Sequence, residues 1–385
     1  MSKKIIRRCL SLIIMMVYSL VYLSAYINAD NLNDSFLVLN DTNDSIAYNI
    51  HEYAVDNISS FIYAYDNDID IKDISLGEPV IVNGSTPSMY ILPVYKNGDL
   101  YFGFSVTVID DQMYGNLSIS IAQALNYLLQ KYPDDSFAIL SPDVINYKSM
   151  EEKNGNLYFY TEKESSIIEY SIASGLDSLN NGANVNEVMA QFSSSRGALS
   201  YYEIGKTFGM THYDVPSLMS YPKADNLAIT ITEQQGSYPW CGAYVGAAVL
   251  RYLTNRSYTA ESLMKAIYPT KTLTELRQMA MSLNDFTTYC YSQNYYPYNR
   301  VGMPTYTRIQ EQISTRSPLM AHGIRNGSGH SFLVLGYLNN ASGSLITIWN
   351  PHNSSTEITT YGKYIVSNNL SWEWFGTIDS FYLST

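Results

Sequence analysis

The stretch Gln235-Gly236-Ser237-Tyr238-Pro239-Trp240-Cys241-Gly242-Ala243-Tyr244 runs on into Val245-Gly246-Ala247-Ala248-Val249-Leu250-Arg251-Tyr252-Leu253, and its reading decides how the C-terminal part of this chain folds. Small and apolar residues recur in its second half at the spacing of a buried helix, so Cys241 falls at that helix's N-terminus. Unpaired backbone N–H groups and the positive end of the macrodipole favour a thiolate there, and the thiolate is the nucleophilic form of cysteine. The plainer alternative is a small apolar core residue, which a free cysteine usually is. Gln235 lies six residues upstream on the approach loop, from which its amide can join the Cys241 backbone N–H around an oxyanion. Gln234, at a spacing of seven, is the second candidate for that place.

Downstream, His330 follows Asn326-Gly327-Ser328-Gly329 and opens the apolar run 331–338, a buried strand; a second run, 345–349, ends at Asn350. If the two pair as a hairpin turning near 340–341, His330 and Asn350 face each other at its open end. An Asn side-chain oxygen can then fix one imidazole nitrogen and leave the other for a thiol. Taken singly, His330 also reads as a satisfied core or turn histidine, and Asn350 as a turn former before Pro351. Together, a nucleophile, a base, an orienting amide and an oxyanion donor fall within one stretch of chain. Trp349, Trp372 and Trp374 are placed to shield the Asn–His hydrogen bond, and core packing accounts for them equally well.

The remaining sulfur and imidazole groups read as bystanders. Cys290 sits in Tyr289-Cys290-Tyr291-Ser292 with no histidine nearby in sequence, His322 lies on an expected strand, His352 is expected to face solvent, and His212 falls in a linker region. No paired Cys/His spacing suggests a metal site, no Gly-rich phosphate loop follows a strand, and no cofactor is expected.

The wider chain has 385 residues, 23 basic and 35 acidic side chains, a net charge of −12 and 46% hydrophobic residues, which fits about two folded domains. At a pI of about 4.8 it lacks the basic face that nucleic acid requires. Three Cys exclude a disulfide-stapled scaffold. Residues 1–29 pair Lys3, Lys4, Arg7 and Arg8 with an apolar run ending at Ile27-Asn28-Ala29, and read as a secretory signal peptide; an uncleaved membrane anchor is the alternative. Residues 30–214 hold 26 acidic and 8 basic side chains, a net −18, against 9 and 11, a net +2, in 215–385. An acidic block ahead of a near-neutral one suggests two units, with a linker around 211–228. In the acidic block, 89–94 and 100–109 read as strands joined by Lys96-Asn97-Gly98-Asp99, 118–132 as a helix stopped by Pro133, and 156–160 and 166–172 as another strand pair. No chemistry is visible in it.

The motifs Gln-Gly-x-x-x-x-Cys at 235–241, Gly-His-Ser at 329–331 and Trp-Asn-Pro at 349–351 resemble those of papain-like cysteine peptidases, most closely the bacterial staphopains, with streptopain more distant. The resemblance covers about 215–385. It implies an α+β, papain-like catalytic domain, a helical half carrying Cys241 and a β-barrel half carrying His330 and Asn350, with Gln235 in the oxyanion hole. Its layout implies that 30–214 is an acidic inhibitory pro-segment, mainly antiparallel β with one helix, blocking the cleft until proteolysis. The implied function is a secreted, extracellular cysteine endopeptidase made as a zymogen. Its partners would be protein or peptide substrates, its own pro-segment, and an activating protease or cognate inhibitor. No nucleic acid and no stable membrane insertion after signal cleavage are expected. Pro239-Trp240 before the cysteine, Gly242 after it and the 89-residue gap to His330 depart from papain and leave the subsites undefined. A cell-wall amidase or acyltransferase with the same Cys–His core, and an inactive protease-like binding protein, are the alternative readings.

Overall fold

A computed structural model of the chain describes residues 41–66, 68–132, 135–145, 154–161, 163, 165–180, 202–203, 223–340 and 343–382. The expected signal peptide, the linker up to residue 222 and His212 lie outside the described residues. Among the described residues no helix is long and apolar enough to cross a membrane.

The N-terminal part opens with helix α1 (Asp41–Tyr65), which the sequence reading did not place. Its signal is nevertheless present: Ile50, Ala54, Ile58, Phe61 and Ile62 recur at helical spacing and are all buried, packed with Leu92, Phe102 and Phe104. The strands then run β1 (Ile74–Leu76), β2 (Val80–Ile81), β3 (Met89–Lys96), β4 (Asp99–Ile109) and β5 (Gln112–Ser118). Strands β3 and β4 close through Asn97 and Gly98, both at positive φ, the two-residue turn expected from Asn-Gly. Helix α2 (Ile119–Lys131) lays Ile121, Ala122, Leu125 and Leu128 on the sheet, and Pro133 follows it. Strands β6 (Ser136–Leu140), β7 (Asn156–Thr161), β8 (Ser166–Ser171), β9 (Leu176–Asn180) and β10 (Tyr202–Glu203) form a second, antiparallel sheet in the order β10-β6-β7-β8-β9. The strands and helix read from this part of the sequence are thus all present, each within a few residues of its expected ends.

After β11 (Lys223–Asn226) come the helices α3 (Cys241–Thr254), α4 (Ala260–Ile267), α5 (Leu273–Leu276) and α6 (Leu283–Ser292). Strand β12 (Tyr298–Val301), helix α7 (Tyr306–Ser314) and strands β13 (Leu319–Arg325), β14 (Ser328–Asn340), β15 (Gly343–Trp349), β16 (Glu357–Thr360), β17 (Tyr364–Ser367) and β18 (Leu370–Asp379) complete the described chain. Helices therefore precede an antiparallel sheet, the α+β arrangement expected. Helix α3 is built of small residues because it is buried: Gly242, Ala243, Gly246, Ala247 and Ala248 have no exposed face. A Cβ on Gly246 would lie 2.8 Å from the Phe286 ring, so only glycine lets α6 approach this closely. The helix stops at Asn255, which takes the left-handed conformation suited to a C-terminal cap. One core joins α3 to the sheet through Val245, Val249, Met320, Phe332, Val334, Trp349 and Trp372.

Strand β16 pairs with β5 in the register Ile358↔Leu117 and Thr359↔Asn116, so N-terminal and C-terminal strands share one sheet, in the order β1-β3-β4-β5-β16-β15-β14-β13-β18-β12. Leu338, Leu345 and Ile358 correspondingly share a core with Leu92, Phe104 and Leu117.

Candidate active site

Cys241 is the first residue of α3 and is partly exposed. Trp240 ahead of it anchors the helix start, buried and donating its indole N–H to the Leu276 carbonyl at 2.7 Å. Gln235 is fully buried, and its backbone N–H donates to the Pro351 carbonyl at 2.8 Å, which ties the approach loop of Cys241 to the segment just after Asn350. Its side-chain Nε2 donates to the Tyr238 carbonyl at 2.8 Å, which employs one of two amide hydrogens. Gln234, the second candidate, faces elsewhere: the two ends of its amide lie 3.2 Å from the Ala173 carbonyl and 2.6 Å from the Ser354 nitrogen, partners that are satisfied with the amide nitrogen toward Ala173 and the oxygen toward Ser354.

His330 stands on β14, whose hairpin with β13 turns through Asn326 and Gly327, both at positive φ. The stretch before His330 is thus a tight two-residue turn. Strand β15 pairs back along β14 with an irregularity between Val334 and Gly336, reaching Leu333↔Trp349. Continuing that register sets Asn350 across from Phe332, so Asn350 meets His330 diagonally on one face instead of directly opposite. Asn350 Oδ1 lies 3.1 Å from His330 Nε2, leaving Nδ1 as the other ring nitrogen. The two halves come together next to these residues, since a Cβ on Gly242 would lie 3.6 Å from the Ser331 hydroxyl. Cys241, Gln235, His330 and Asn350, far apart in sequence, therefore converge.

Aromatic rings close the site. Trp372 lies 5.1 Å from the His330 ring, Phe332 4.8 Å and His352 5.5 Å, the last nearly parallel. The shielding expected of tryptophan thus comes from Trp372, while Trp349 donates its N–H to the Asn353 carbonyl and Trp374 bonds Thr377. His352 is not solvent-facing as expected: it is 2% exposed, because the turn after Asn350 folds it back under His330. Its backbone N–H donates to Asn350 Oδ1 at 3.1 Å. His322 is also buried, with Nδ1 2.9 Å from the Ser331 hydroxyl. Burial pulls the imidazoles of His330 and His322 down to about 4 and about 3, and that of His352 well below its usual range, so all three are neutral near pH 7. Cys290 is fully buried, and burial pushes its thiol up to about 12, in keeping with a bystander.

One site residue escaped sequence reasoning. Asn154, immediately before β7, is 1% exposed and reaches the same imidazole: its Nδ2 lies 2.7 Å from His330 Nε2, and its Oδ1 accepts from Asn350 Nδ2 at 3.3 Å. Asn368 Nδ2 holds its backbone carbonyl at 2.8 Å. With its oxygen turned to Asn350, Asn154 presents N–H to Nε2, a contact that favours the ring proton on Nδ1 and competes with the contact of Asn350 Oδ1 at the same nitrogen. The adjacent Gly155 passes so close to His352 that a Cβ there would lie 2.8 Å from Nδ1. No local motif announces this; it depends on a contact between residues 176 positions apart. Nearby, Asp143 of the N-terminal part pairs with the buried Arg325 of β13.

Residues 221–381 match the model of the staphopain peptidase family. Staphopain B of Staphylococcus aureus is 24% identical to this chain over 158 residues, which are 38% of this chain and 40% of that protein. Staphopain B of strain MSSA476 of the same organism is 23% identical over 158 residues. The chain thus matches about 40% of the length of these curated relatives.

Proposed function

We propose that this chain, staphopain-like in residues 221–381, is a secreted cysteine endopeptidase made as a zymogen and acting on host or extracellular proteins. The observation that carries the reading is the convergence of Cys241, at the start of a buried helix, with the hydrogen-bonded pair His330–Asn350. Cys241 Sγ attacks the peptide carbonyl carbon as a thiolate paired with the His330 imidazolium. The carbonyl electron pair moves onto oxygen, which the Cys241 N–H and the second Gln235 amide hydrogen stabilise. His330 protonates the leaving amine as the C–N bond breaks. Water, deprotonated by His330, then attacks the thioester; the C–S bond breaks, and acid and thiol are released. Asn350 holds the imidazole through Nε2.

Residues 30–214 are proposed as the inhibitory segment, with 215–385 as the peptidase domain. The contact between Asn154 and His330 supports this, because it holds the imidazole neutral at Nε2 and competes with the Asn350 bond that the mechanism uses. The +2 charge of 215–385 against −18 in 30–214 supports mutual attraction of the two parts.

The test is labelling by E-64, an epoxide that alkylates papain-type thiols, read by intact mass and peptide mapping. It compares the full chain with the chain clipped within about 205–230 and freed of its N-terminal segment. A single adduct on Cys241 only in the freed form, with casein hydrolysis abolished by Cys241→Ala, is expected. No adduct in either form with Cys241 reduced refutes the reading, as does release of muropeptides from peptidoglycan without casein cleavage.

A further inference from the structure

Asn350 is itself held, by a line of side chains that ends in a buried carboxyl. Its Nδ2 donates to the Ser367 hydroxyl at 2.8 Å, and Ser367 Oγ donates in turn to Glu357 Oε2 at 2.5 Å. Glu357, Ser367 and Asn350 are each fully buried and His330 nearly so, which gives a continuous line of hydrogen bonds from a carboxyl group on β16, through β17, to the imidazole on β14. A buried carboxyl is costly unless it is bonded or neutralised, so its place against Ser367, Ser118 and Asn353 calls for a use.

Direction is what the line supplies. A carboxylate only accepts, so the Ser367 hydrogen must point to Glu357; the Ser367 lone pairs are then the side facing Asn350, and they take an N–H and repel a carbonyl. Asn350 is thereby turned with Nδ2 on Ser367 and Oδ1 on His330, the orientation in which Oδ1 receives the Nε2 proton of the imidazole. The backbone N–H of His352 supports the same orientation from the other side. Without the carboxylate, the Ser367 hydroxyl is free to rotate and donate to a flipped Asn350, whose N–H would then oppose the Nε2–H.

We propose that Glu357, acting through Ser367, is a positioning residue for the peptidase reaction: it fixes the amide of Asn350 so that His330 is held in the orientation and tautomer that the reaction uses. The proposal rests on the peptidase reading above. The groups bonding or facing the Glu357 carboxyl are Ser367 on β17, Ser118 at the end of β5 and Asn353 in the turn before β16, none of them ionisable. The titratable groups facing His330 are His322 on β13 and His352 in the turn after β15. Burial pushes Glu357 up to about 7, against which the Ser367 hydrogen bond works.

The experiment uses the clipped and freed enzyme bearing Glu357→Gln, Glu357→Leu, Ser367→Ala or the double change Glu357→Leu with Ser367→Ala, each first shown to melt cooperatively. It reads kcat and KM on a casein-derived peptide, and separately the pH profile of Cys241 alkylation by iodoacetamide. A misplaced base costs rate rather than affinity, so Glu357→Leu and Ser367→Ala are each expected to lower kcat about tenfold to a hundredfold with KM within about twofold. The double variant should be no worse than either single one, since both break the same line. Glu357→Gln keeps an acceptor for Ser367 and should recover most of kcat. Alkylation at about pH 8, above the value of about 7 to which burial pushes Glu357 so that the group is a carboxylate, should slow in parallel. If Glu357→Leu misfolds, Ser367→Ala carries the test alone. An unchanged kcat and alkylation profile in folded Ser367→Ala and Glu357→Leu overturns the proposal while wild-type hydrolysis leaves the peptidase reading standing. Wild-type protein that alkylates rapidly at about pH 8 but hydrolyses nothing refutes the peptidase reading, and slowed alkylation in the variants at that pH would still support the positioning role.

Discussion

Replacing Asn154 by alanine tests whether the N-terminal segment disables the site through His330. The variant loses the N–H that lies 2.7 Å from Nε2 and the weaker acceptor 3.3 Å from Asn350 Nδ2, while the backbone carbonyl held by Asn368 remains. A buried group deprived of its partner costs about 1–3 kcal/mol, and the short bond to the imidazole dominates, so about 2 kcal/mol is the expected weakening of the closed state. At 1.4 kcal/mol per factor of ten, that raises the open fraction of the uncleaved chain about thirtyfold. The assay is the second-order rate of E-64 addition to Cys241 in the full, unclipped chain, with Cys241→Ala as the blank. Asn154→Asp provides a second arm of the same size and shape: its carboxylate accepts from Nε2–H rather than donating to it, so it should draw a proton onto His330 and raise its titration above that in the wild-type chain. Labelling rates within threefold of wild type in both variants, with an unmoved His330 titration, would refute the reasoning and reduce the segment to a steric cover.

Stability of the closed form should fall on acidification. His330, His322 and His352 have depressed values in the fold against 6.5 when unfolded, so below pH 6.5 the unfolded chain takes up protons that the folded chain refuses; Glu357, raised to about 7 against 4.5, works in the opposite sense between those values. Three protons against one leave about two, or roughly 3 kcal/mol per pH unit between pH 6 and 4.5, and urea midpoints of the Cys241→Ala chain that stay level over that range contradict the buried neutral imidazoles. Gln235→Ala should lower turnover by ~10²–10³ with KM little changed, and a loss below threefold in a folded variant removes Gln235 from the oxyanion site. In the clipped and freed form, native alkylation by iodoacetamide should modify Cys241 and spare Cys290, which is fully buried with its thiol pushed up to about 12; denaturation should expose both, and rapid native modification of Cys290 would contradict its burial.

The helix that Cys241 opens, the β14–β15 hairpin and the contact of His330 with Asn350 were legible because each rests on local signals: small residues at helical spacing, alternating apolar runs, and turn residues at their ends. The diagonal placement of Asn350 was not, since one irregularity between Val334 and Gly336 shifts the register and leaves no mark in composition. His352 looked exposed because histidine next to proline and asparagine is common in surface turns, and only the fold of that turn beneath His330 reverses the expectation. Helix α1 was missed although its apolar spacing is regular, because aspartate and asparagine crowd its beginning. Asn154, Ser367 and Glu357 were invisible for a deeper reason. A residue that acts by contacting another's side chain from a distant strand carries no pattern of its own.

The pairing of β5 with β16 bears on how the proposed zymogen would open. A segment that merely filled the cleft would leave once the connecting chain was cut. Here Leu117, Phe104 and Leu92 share a core with Ile358, Leu345 and Leu338, the Gly115 N–H donates to Thr360 at 2.9 Å, and Asn154 sits between His330 and Asn368. Each large apolar side chain in such a core contributes about 1.5–3 kcal/mol, so cutting the linker removes the covalent tie and leaves the larger, noncovalent one intact. Something must act on that tie directly. Under the proposed zymogen reading protonation is one agent suited to it, because burial holds the imidazoles of His330 and His352 below their usual range where Asn154 and Gly155 pack on them. On that reading, departure of the segment would free His330 to take the Cys241 thiol proton and form the thiolate–imidazolium pair.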